Sequence, residues 1–575
     1  LKIIKITIKN FRSINNASID ITSINAIVGR NSAGKSCLLR ALNAFFNYDE
    51  EEVFFERCDH NYTTKTKSSI EMHFKLDSDP HVPENLIHSD KIIIKTTFQV
   101  KGSKCNRKIF YKSSNKWIQN NDCINQIKDY IEFILIPPNR DASSLIRTQN
   151  NVFKLLVDLK MKEATESRDN YSKKFQTAIE YLNDHEFKKI ADQATNEFLA
   201  NKKVDIEIKF NKILTYQDFL SDVSISINEH GLSHSLYECG TGIQSLTIIS
   251  LYHLYGKEKK KNIILGLEEP ETNLHPQSQK ELIHYFKDLV QDGNLHQLFF
   301  TTHSSELINE VEHTDVILFR KVKDEKRGFK SLVKRLPQDF FTRYDLKQYG
   351  YYQFHRYRNS DFFFSDFIVI TESKTEVEII QTFGKKDNKK YDTNGLSYLI
   401  LDGKTKAPYA IHLLKELEIP FLLIIDKDFF CKYKNDSLEH SLSIKGFPVY
   451  TSTNFHDQSL IDKLIPNKDD QKSILKNINN NHNQVLNVLE KYNIISMRYC
   501  TELDLIQTKM AQDLFYKILN CSEDEQNIKS LLSKKKAIKK VENIVQVIEQ
   551  INWNSMPRTY SRIRNFMNRI NKQLL

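Results

Sequence analysis

Eight consecutive residues, Gly29-Arg30-Asn31-Ser32-Ala33-Gly34-Lys35-Ser36, constrain this chain more than any other part of it. They fit the pattern Gly-x-x-x-x-Gly-Lys-Ser, with an apolar strand before them and a helix expected from about Lys35 to Phe46. That context is what a phosphate cradle requires. Glycines let backbone N–H groups turn inward, the helix N-terminus adds positive potential, and a lysine and a hydroxyl complete the site. Lys35 then neutralises β/γ-phosphates, and Ser36 holds Mg²⁺. A strand leading into such a loop implies an α/β core, and the rest of the chain fits one.

The strands expected before the loop are Ile3–Ile8 and Ile19–Val28. Period-2 stretches at Ser69–Phe74, Lys91–Val100 and Lys108–Tyr111 predict an antiparallel sheet. Val152–Lys202 turns helical and charged and reads as an inserted helical arm. Strands resume at Val204–Phe210 and Val223–Asn228, then alternate with helices to about residue 335. A Tyr-, Arg- and Phe-rich segment around Asp339–Asp361 reads as a connection. A second alternating unit begins at Asp366, with strands Phe367–Thr371, Ser397–Leu401 and Phe421–Ile425, and beyond Asp469 the chain reads as mainly helical. The domains expected are therefore 1–338, a linker at 339–365, and 366–575; 575 residues are too many for a single core.

Two strand ends carry the chemistry of the first domain. Ile263–Leu267 runs into Glu268-Glu269-Pro270-Glu271, and carboxylates at a buried strand end are costly without a metal or a proton to handle. Glu268 suits a water-mediated Mg²⁺ contact and Glu269 the polarising of an attacking water. Gln297–Thr301 runs into Thr302-His303-Ser304, where His303 would sense the γ-phosphate. In the second domain Phe421–Ile425 ends in Asp426-Lys427-Asp428. Carboxylates at i and i+2 share a face, and hard oxygen ligands suit Mg²⁺ or Mn²⁺. Glu372 and Glu376 follow the strand Phe367–Thr371.

These motifs resemble the OLD (overcoming lysogenization defect) family. The run Leu267 to Pro276 with Thr301-Thr302-His303-Ser304 is similar to ABC-type ATPases of the SMC and OLD group. Ile8 to Arg12 resembles their opening strand, Ile136 to Asp141 the segment near the Q-loop, and Cys239 to Ser245, with Gly240 and Gly242, the signature motif. Ile368 to Glu376 resembles the Toprim opening, although Ser373 stands where the family has Gly. Glu502 and Asp504 lie where the family places a further metal ligand, and Lys534–Lys536 about where it places a catalytic Lys, assigned to Lys536.

The resemblance implies an ABC-type ATPase with a helical dimerisation arm, followed by a Toprim domain with C-terminal helices. It implies an ATP site of Arg12, Gly29, Asn31, Gly34, Lys35, Ser36, Gly240, Gly242, Glu268, Glu269 and His303, closed by a partner subunit. Metal would sit at Ser36 and Glu268, and at Glu372, Glu376, Asp426, Asp428, Glu502 and Asp504. The activity implied is an ATP-regulated endonuclease or nickase acting on DNA in anti-phage defence. Such proteins act alone, with a helicase as in Gabija systems, or beside a retron reverse transcriptase with its RNA–DNA. Glu268 in place of Asp and the altered signature point to slow hydrolysis. Two other readings use the same residues: an ATP-driven switch with a degenerate Toprim docking domain, and an RNA-cutting toxin.

Composition adds little beside these motifs. The charge of +10, from 83 Lys+Arg and 73 Asp+Glu, points only weakly to a phosphate-rich partner. No apolar run approaches the roughly 20 residues that span a bilayer, so no membrane role is expected. Leu1–Asn10 alternates as a strand does, unlike a signal peptide. The eight cysteines form no Cys-x-x-Cys pair, which fits a reducing cytoplasm better than a zinc or disulfide framework.

Overall fold

Apolar residues that alternate, and apolar residues that run on, build different sheets in this chain. The computed structural model describes all residues except 57–59, 64–65, 77–86, 88–90, 99–104, 112–115, 121, 139, 141–151, 195–206, 209–224, 230–231, 260, 326, 357–359, 392–394, 436, 438 and 575. The alternating segments β1 (Lys2–Phe11), β2 (Ile14–Asp20), β4 (Ser68–Lys75), β5 (Lys91–Phe98), β6 (Cys105–Tyr111) and β7 (Lys116–Gln119) form an antiparallel sheet in the order β2-β1-β4-β5-β6-β7. Each such strand can bury one face and wet the other.

The unbroken apolar strands instead pair in parallel, within a sheet that also takes in two strands of mixed character, Val316–Asp324 and Gly328–Arg335. β3 (Ile24–Val28), β8 (Ile131–Ile136), β11 (Asn262–Glu268), β12 (Gln297–Thr302), β13 (Val316–Asp324) and β14 (Gly328–Arg335) form a sheet in the order β14-β13-β3-β12-β11-β8. The pairings β8·β11 and β11·β12 are parallel, placing Glu268 beside Thr301. Two short strands, β9 (Ser226–Glu229) and β10 (Leu232–Ser235), make a separate hairpin. The expected single strand Ile19–Val28 is broken in two. Thr22 and Asn25 exchange hydrogen bonds, Thr22 N–H to Asn25 Oδ1 and Asn25 Nδ2 to Thr22 O, and this turn ends β2 before β3 begins. Of the helical arm, helices cover Val152–Glu163, Thr165–Tyr181 and Lys188–Ala194, with a π-helical stretch at Leu182–Phe187. Its last eight residues, and most of the expected strand Val204–Phe210, lie outside the described residues.

The described residues form two compact units, Leu1–Ile27 with Gly34–Val311 and Lys321–Leu332, and Val28–Ala33 with Glu312–Arg320 and Val333–Leu575. The second holds a four-stranded parallel sheet in the order β16-β15-β17-β18: β15 (Phe367–Thr371), β16 (Leu396–Ile400), β17 (Phe421–Ile425) and β18 (Ile494–Ser496). Every residue of β15 and β17 is buried, as both faces of a parallel sheet must be. The C-terminal helices close one face. In Arg558–Leu574 the residues Tyr560, Ile563, Phe566, Met567 and Ile570 recur at helical spacing and pack into the same core as Phe367, Val369 and Leu422. Among the described residues no helix is long and apolar enough to cross a membrane.

Two histidines of the second unit are buried where only the neutral ring fits. His313 Nδ1 lies 2.8 Å from the Tyr351 hydroxyl, and burial pushes its pKa down to about 3. His412 stacks on Tyr344 at 4.1 Å, and burial, with Lys463 and Lys415 nearby, pushes it down to about 4. An unfolded histidine takes up a proton near pH 6.5. The stability these rings contribute is therefore complete above that pH and is lost as pH falls toward the folded values. Between pH 6.5 and 5 each costs about 2 kcal/mol. Urea midpoints at pH 7.5 and 5 should differ accordingly, and His313→Phe with His412→Phe should flatten the difference. Equal slopes in the variant would show that other groups govern acid stability.

Candidate active sites

The phosphate loop needs both glycines. Gly29 has φ +143°, and a Cβ there would lie 2.1 Å from the Phe319 carbonyl oxygen. Gly34 has φ +99° and would bring a Cβ within 2.3 Å of the hydroxyls of Ser13 and Ser331. Asn31 is exposed on the loop, and Ser36 is half-buried one residue into the helix Lys35–Phe46. Lys35 is buried, with Nζ 2.7 Å from His303 Nε2. Burial lowers its pKa to about 8, against the opposing pull of Glu269 and Glu271.

The β11 end meets this lysine from the other side. Glu268 is buried, one carboxylate oxygen lies 3.6 Å from Arg40 Nε, and desolvation pushes its pKa up while Arg40 and Arg12 oppose the shift. Arg12 itself has φ +50°. Glu269 has φ +47°, held there because its N–H donates to the carbonyl and hydroxyl oxygens of Thr301. Its carboxylate stands 4.0 Å from His303. Glu271, the third acid of the run, accepts the His303 backbone N–H at 2.6 Å, which ties the two strand ends together. The structure thus brings Lys35, His303 and Glu269 together, with Glu268 beside Glu269.

A residue given no role in the sequence reading joins these parts. Arg140 is buried and donates to the backbone oxygens of Glu268 and Glu269 and to the Ser245 hydroxyl. Ser245 belongs to the helix Thr241–Glu258, which Gly240 caps. Gly242 lets that helix approach, since a Cβ would sit 3.0 Å from the Asn273 carbonyl oxygen, whereas the space around Gly240 is open.

In the second unit the parallel pairing of β15 with β17 sets Thr371 beside Ile424, so Glu372 and Asp426 leave adjacent strand ends. The Asp426 N–H donates to the Glu372 carboxylate. Burial, then Asp428 and Glu376, push the Glu372 pKa up, while burial, then Glu372, Glu376, Asp428 and Glu502, push Asp426 well above the usual carboxylate range. Glu372 Oε2 and Asp428 Oδ1 are buried without a hydrogen-bond partner. Acidic groups crowded together with unused buried oxygens are the donor set of a hard divalent cation. Among the described residues no three side chains already surround one point as a finished cage. Mg²⁺ does not require one, because it keeps waters and takes one or two carboxylates with substrate phosphates. Glu372, Asp426, Asp428 and the buried Glu502 would hold it.

Ser373, in the place of a glycine, does not distort the turn. Its φ of −140° is open to any residue, and it caps the helix Lys374–Lys386 in a reciprocal box with Glu376. Glu376, the other half of that box, lies among the acids acting on Asp426 and is held on both oxygens, one accepting from the Ser373 N–H and hydroxyl and the other from Thr501.

Asp504 is held more completely. It is fully buried and accepts the N–H groups of Arg498 and Tyr499 and the Thr559 hydroxyl, which leaves it suited to fastening this segment. Asp504→Ala strands two buried N–H groups and should lower stability by about 3 kcal/mol in urea melts. The metal concentration needed for half-maximal cleavage should not move; a rise would return Asp504 to the metal set.

Lys536 is exposed, whereas Lys535 is half-buried and near enough to Cys500 that its charge opposes, without cancelling, the rise that burial, Glu502 and Asp426 impose on that thiol. Of these two lysines, Lys535 is the one whose charge reaches the Glu502 segment. Two other neighbours went unnoticed in the sequence. Lys404 Nζ lies 2.8 Å from Asp428 Oδ2. Tyr433 stacks on Tyr450, and burial with Asp428 nearby pushes its phenol up to about 12, so it stays protonated.

Comparison with known proteins matches both parts of the chain to family models. A family model described as AAA ATPase domain matches residues 1–137 and 131–308, and one described as overcoming lysogenization defect protein-like, TOPRIM domain, matches 363–428. The chain belongs to the OLD family. Among OLD-family relatives, Endonuclease GajA of Bacillus cereus (strain VD045) is 26% identical over 473 residues, covering 75% of this chain and 76% of that protein. The OLD nuclease of Thermus scotoductus is 22% identical over 448 residues, covering 74% and 81%. The Old nuclease of Escherichia phage P2 is 20% identical over 471 residues, covering 75% and 78%. The OLD-like Toprim match runs from the segment before Glu372 to Asp428, the stretch that carries the crowded acids.

Proposed function

We propose that this chain is an ATP-regulated, divalent-metal-dependent endonuclease or nickase that cuts DNA as the effector of an anti-phage defence system. The observation that carries the proposal is the pair of buried, unpartnered oxygens of Glu372 and Asp428 beside Asp426. The bound ion supplies charge neutralisation at the phosphate and a water made acidic enough to attack. The chain's own groups do the rest. The Asp426 N–H orients Glu372, Lys404 steadies Asp428, and Glu376 fixes the helix that follows Glu372. Lys535 offers positive charge to the phosphate as it gains charge.

In the ATPase domain, proposed to span 1–338, Lys35 would neutralise the β/γ-phosphates, and Ser36 and Glu268 would hold the nucleotide's ion. Glu269 and His303 address the attacking water and the γ-phosphate. The Gly240–Gly242 loop, open at Gly240, would close on a second copy's nucleotide, so light scattering should return a dimer or a multiple of it. A helicase, or a reverse transcriptase with its RNA–DNA, is the class of partner we assign, in the cytoplasm.

Plasmid incubated with the purified chain should be cut or nicked with Mg²⁺ or Mn²⁺ and left intact with EDTA. An intact plasmid in all conditions, with ATP still bound, would favour the docking-domain reading. Cleavage of RNA alone would favour the toxin.

A further inference from the structure

Lys404 lies in a turn that only its own neighbours explain. Asp402 has φ +50° and Gly403 φ +121°, so the chain reverses sharply after β16 and presents Lys404 at the start of the next helical segment. Its ammonium donates to both the carbonyl oxygen and the Oδ2 of Asp428, and it lowers the Glu372 pKa against burial. The side chain remains 30% exposed. Its stem forms one wall of a cavity of about 240 Å³, with Thr405, Pro408, Phe429, His456 and Leu460 around it. Phe429 follows Asp428 directly, so the apolar wall and the acid belong to one short 3-10 segment.

We infer that Lys404 and this cavity form a nucleotide subsite: the ammonium takes a phosphate next to the one cut, and the cavity takes that nucleotide's base. This rests on the endonuclease reading above. A fixed cation beside carboxylates that gather a metal is placed for the phosphodiester itself, since an ammonium binds phosphate as a point charge. The cavity of about 240 Å³ has room for a flat heterocycle, with Pro408 and Phe429 among its walls and Asp457 at its edge as an acceptor for a base N–H. Stacking on an aromatic wall tolerates any base, so the subsite favours single-stranded or unpaired DNA without reading its sequence.

The test is binding of a fluorescein-labelled single-stranded DNA oligonucleotide to the full chain in EDTA, followed by anisotropy against salt concentration. Lys404→Ala should weaken binding about tenfold and reduce the slope of log K against log salt by about 0.7, the value of one phosphate contact on a single strand. Lys404→Arg should keep the slope. Thr405→Trp, at an exposed position, fills the cavity without touching the acids. For wild type, an abasic nucleotide at the right position should cost about tenfold, and for Thr405→Trp the intact and abasic strands should bind alike. If Lys404→Ala slows cleavage but leaves the salt slope unchanged, Lys404 only props Asp428 and the subsite is wrong. A wild type that binds and cuts while showing no abasic penalty overturns the base cavity alone. A wild type that neither binds nor cuts DNA overturns the endonuclease reading with it.

Discussion

Alanine in place of Asp426 or Asp428 should slow DNA cleavage on the order of 10³-fold and leave ATP binding intact. The expected size follows from what each carboxylate does. Asp426 sits among Glu372, Glu376, Asp428 and Glu502, whose charges no hydrogen bond balances completely. Such a cluster is costly without a cation and decisive with one. Removing one acid relieves the others, so the variants should fold at least as stably as wild type in thermal melts. Loss of cleavage together with a raised melting temperature would separate a functional cluster from a structural one. The raised pKa values set a direction too. A proton must leave before an ion binds, so the metal concentration for half-maximal cleavage should fall as pH rises. Full cleavage in Asp426→Ala/Asp428→Ala would end the assignment.

The second large effect belongs to Lys35. Lys35→Ala should reduce ATP binding and hydrolysis on the order of 100-fold, because Lys35 is the buried cation of the phosphate loop and sits 2.7 Å from the His303 ring. Its pKa, already lowered to about 8, will recover when a triphosphate replaces the solvent it has lost. A nucleotide can bias the nuclease only by binding one arrangement of the protein better than another. With Glu268 in place of Asp, we expect hydrolysis to be slow and bound ATP to hold cleavage down. Cleavage rate against ATP concentration should therefore fall for wild type and stay flat for Lys35→Ala, which should cut DNA with metal alone. Flat curves for both would mean that the ATPase serves another purpose.

The sequence carried what is local. A phosphate loop, an acid run at the end of an apolar strand and an Asp-x-Asp are each contained in a few residues, and strand periodicity says which way they face. The parallel sheet of the second unit was legible for the same reason, since β15 and β17 are unbroken apolar runs. What it hid depends on chain separated in sequence and adjacent in space. Arg140 reaches Glu268 and Glu269, Lys404 reaches Asp428, and Thr501 reaches Glu376. The choice of Lys535 over Lys536 is a choice of helix face that three consecutive lysines cannot announce. Asp504 looked like a ligand because it lies where the family places one, but its backbone partners Arg498 and Tyr499 form a turn with no signature of its own. Ser373 read as a defect only while its backbone angle was unknown.

The C-terminal helix Arg558–Leu574 has a bearing on synthesis. Tyr560 donates to the Thr501 carbonyl oxygen and Thr559 to Asp504, so the segment that carries Glu502 is fastened by residues translated well after it. Domains fold as they leave the ribosome, N-terminal parts first. The ATPase and the strands bearing Glu372 and Asp428 are therefore in place while the Glu502 segment still lacks its anchor.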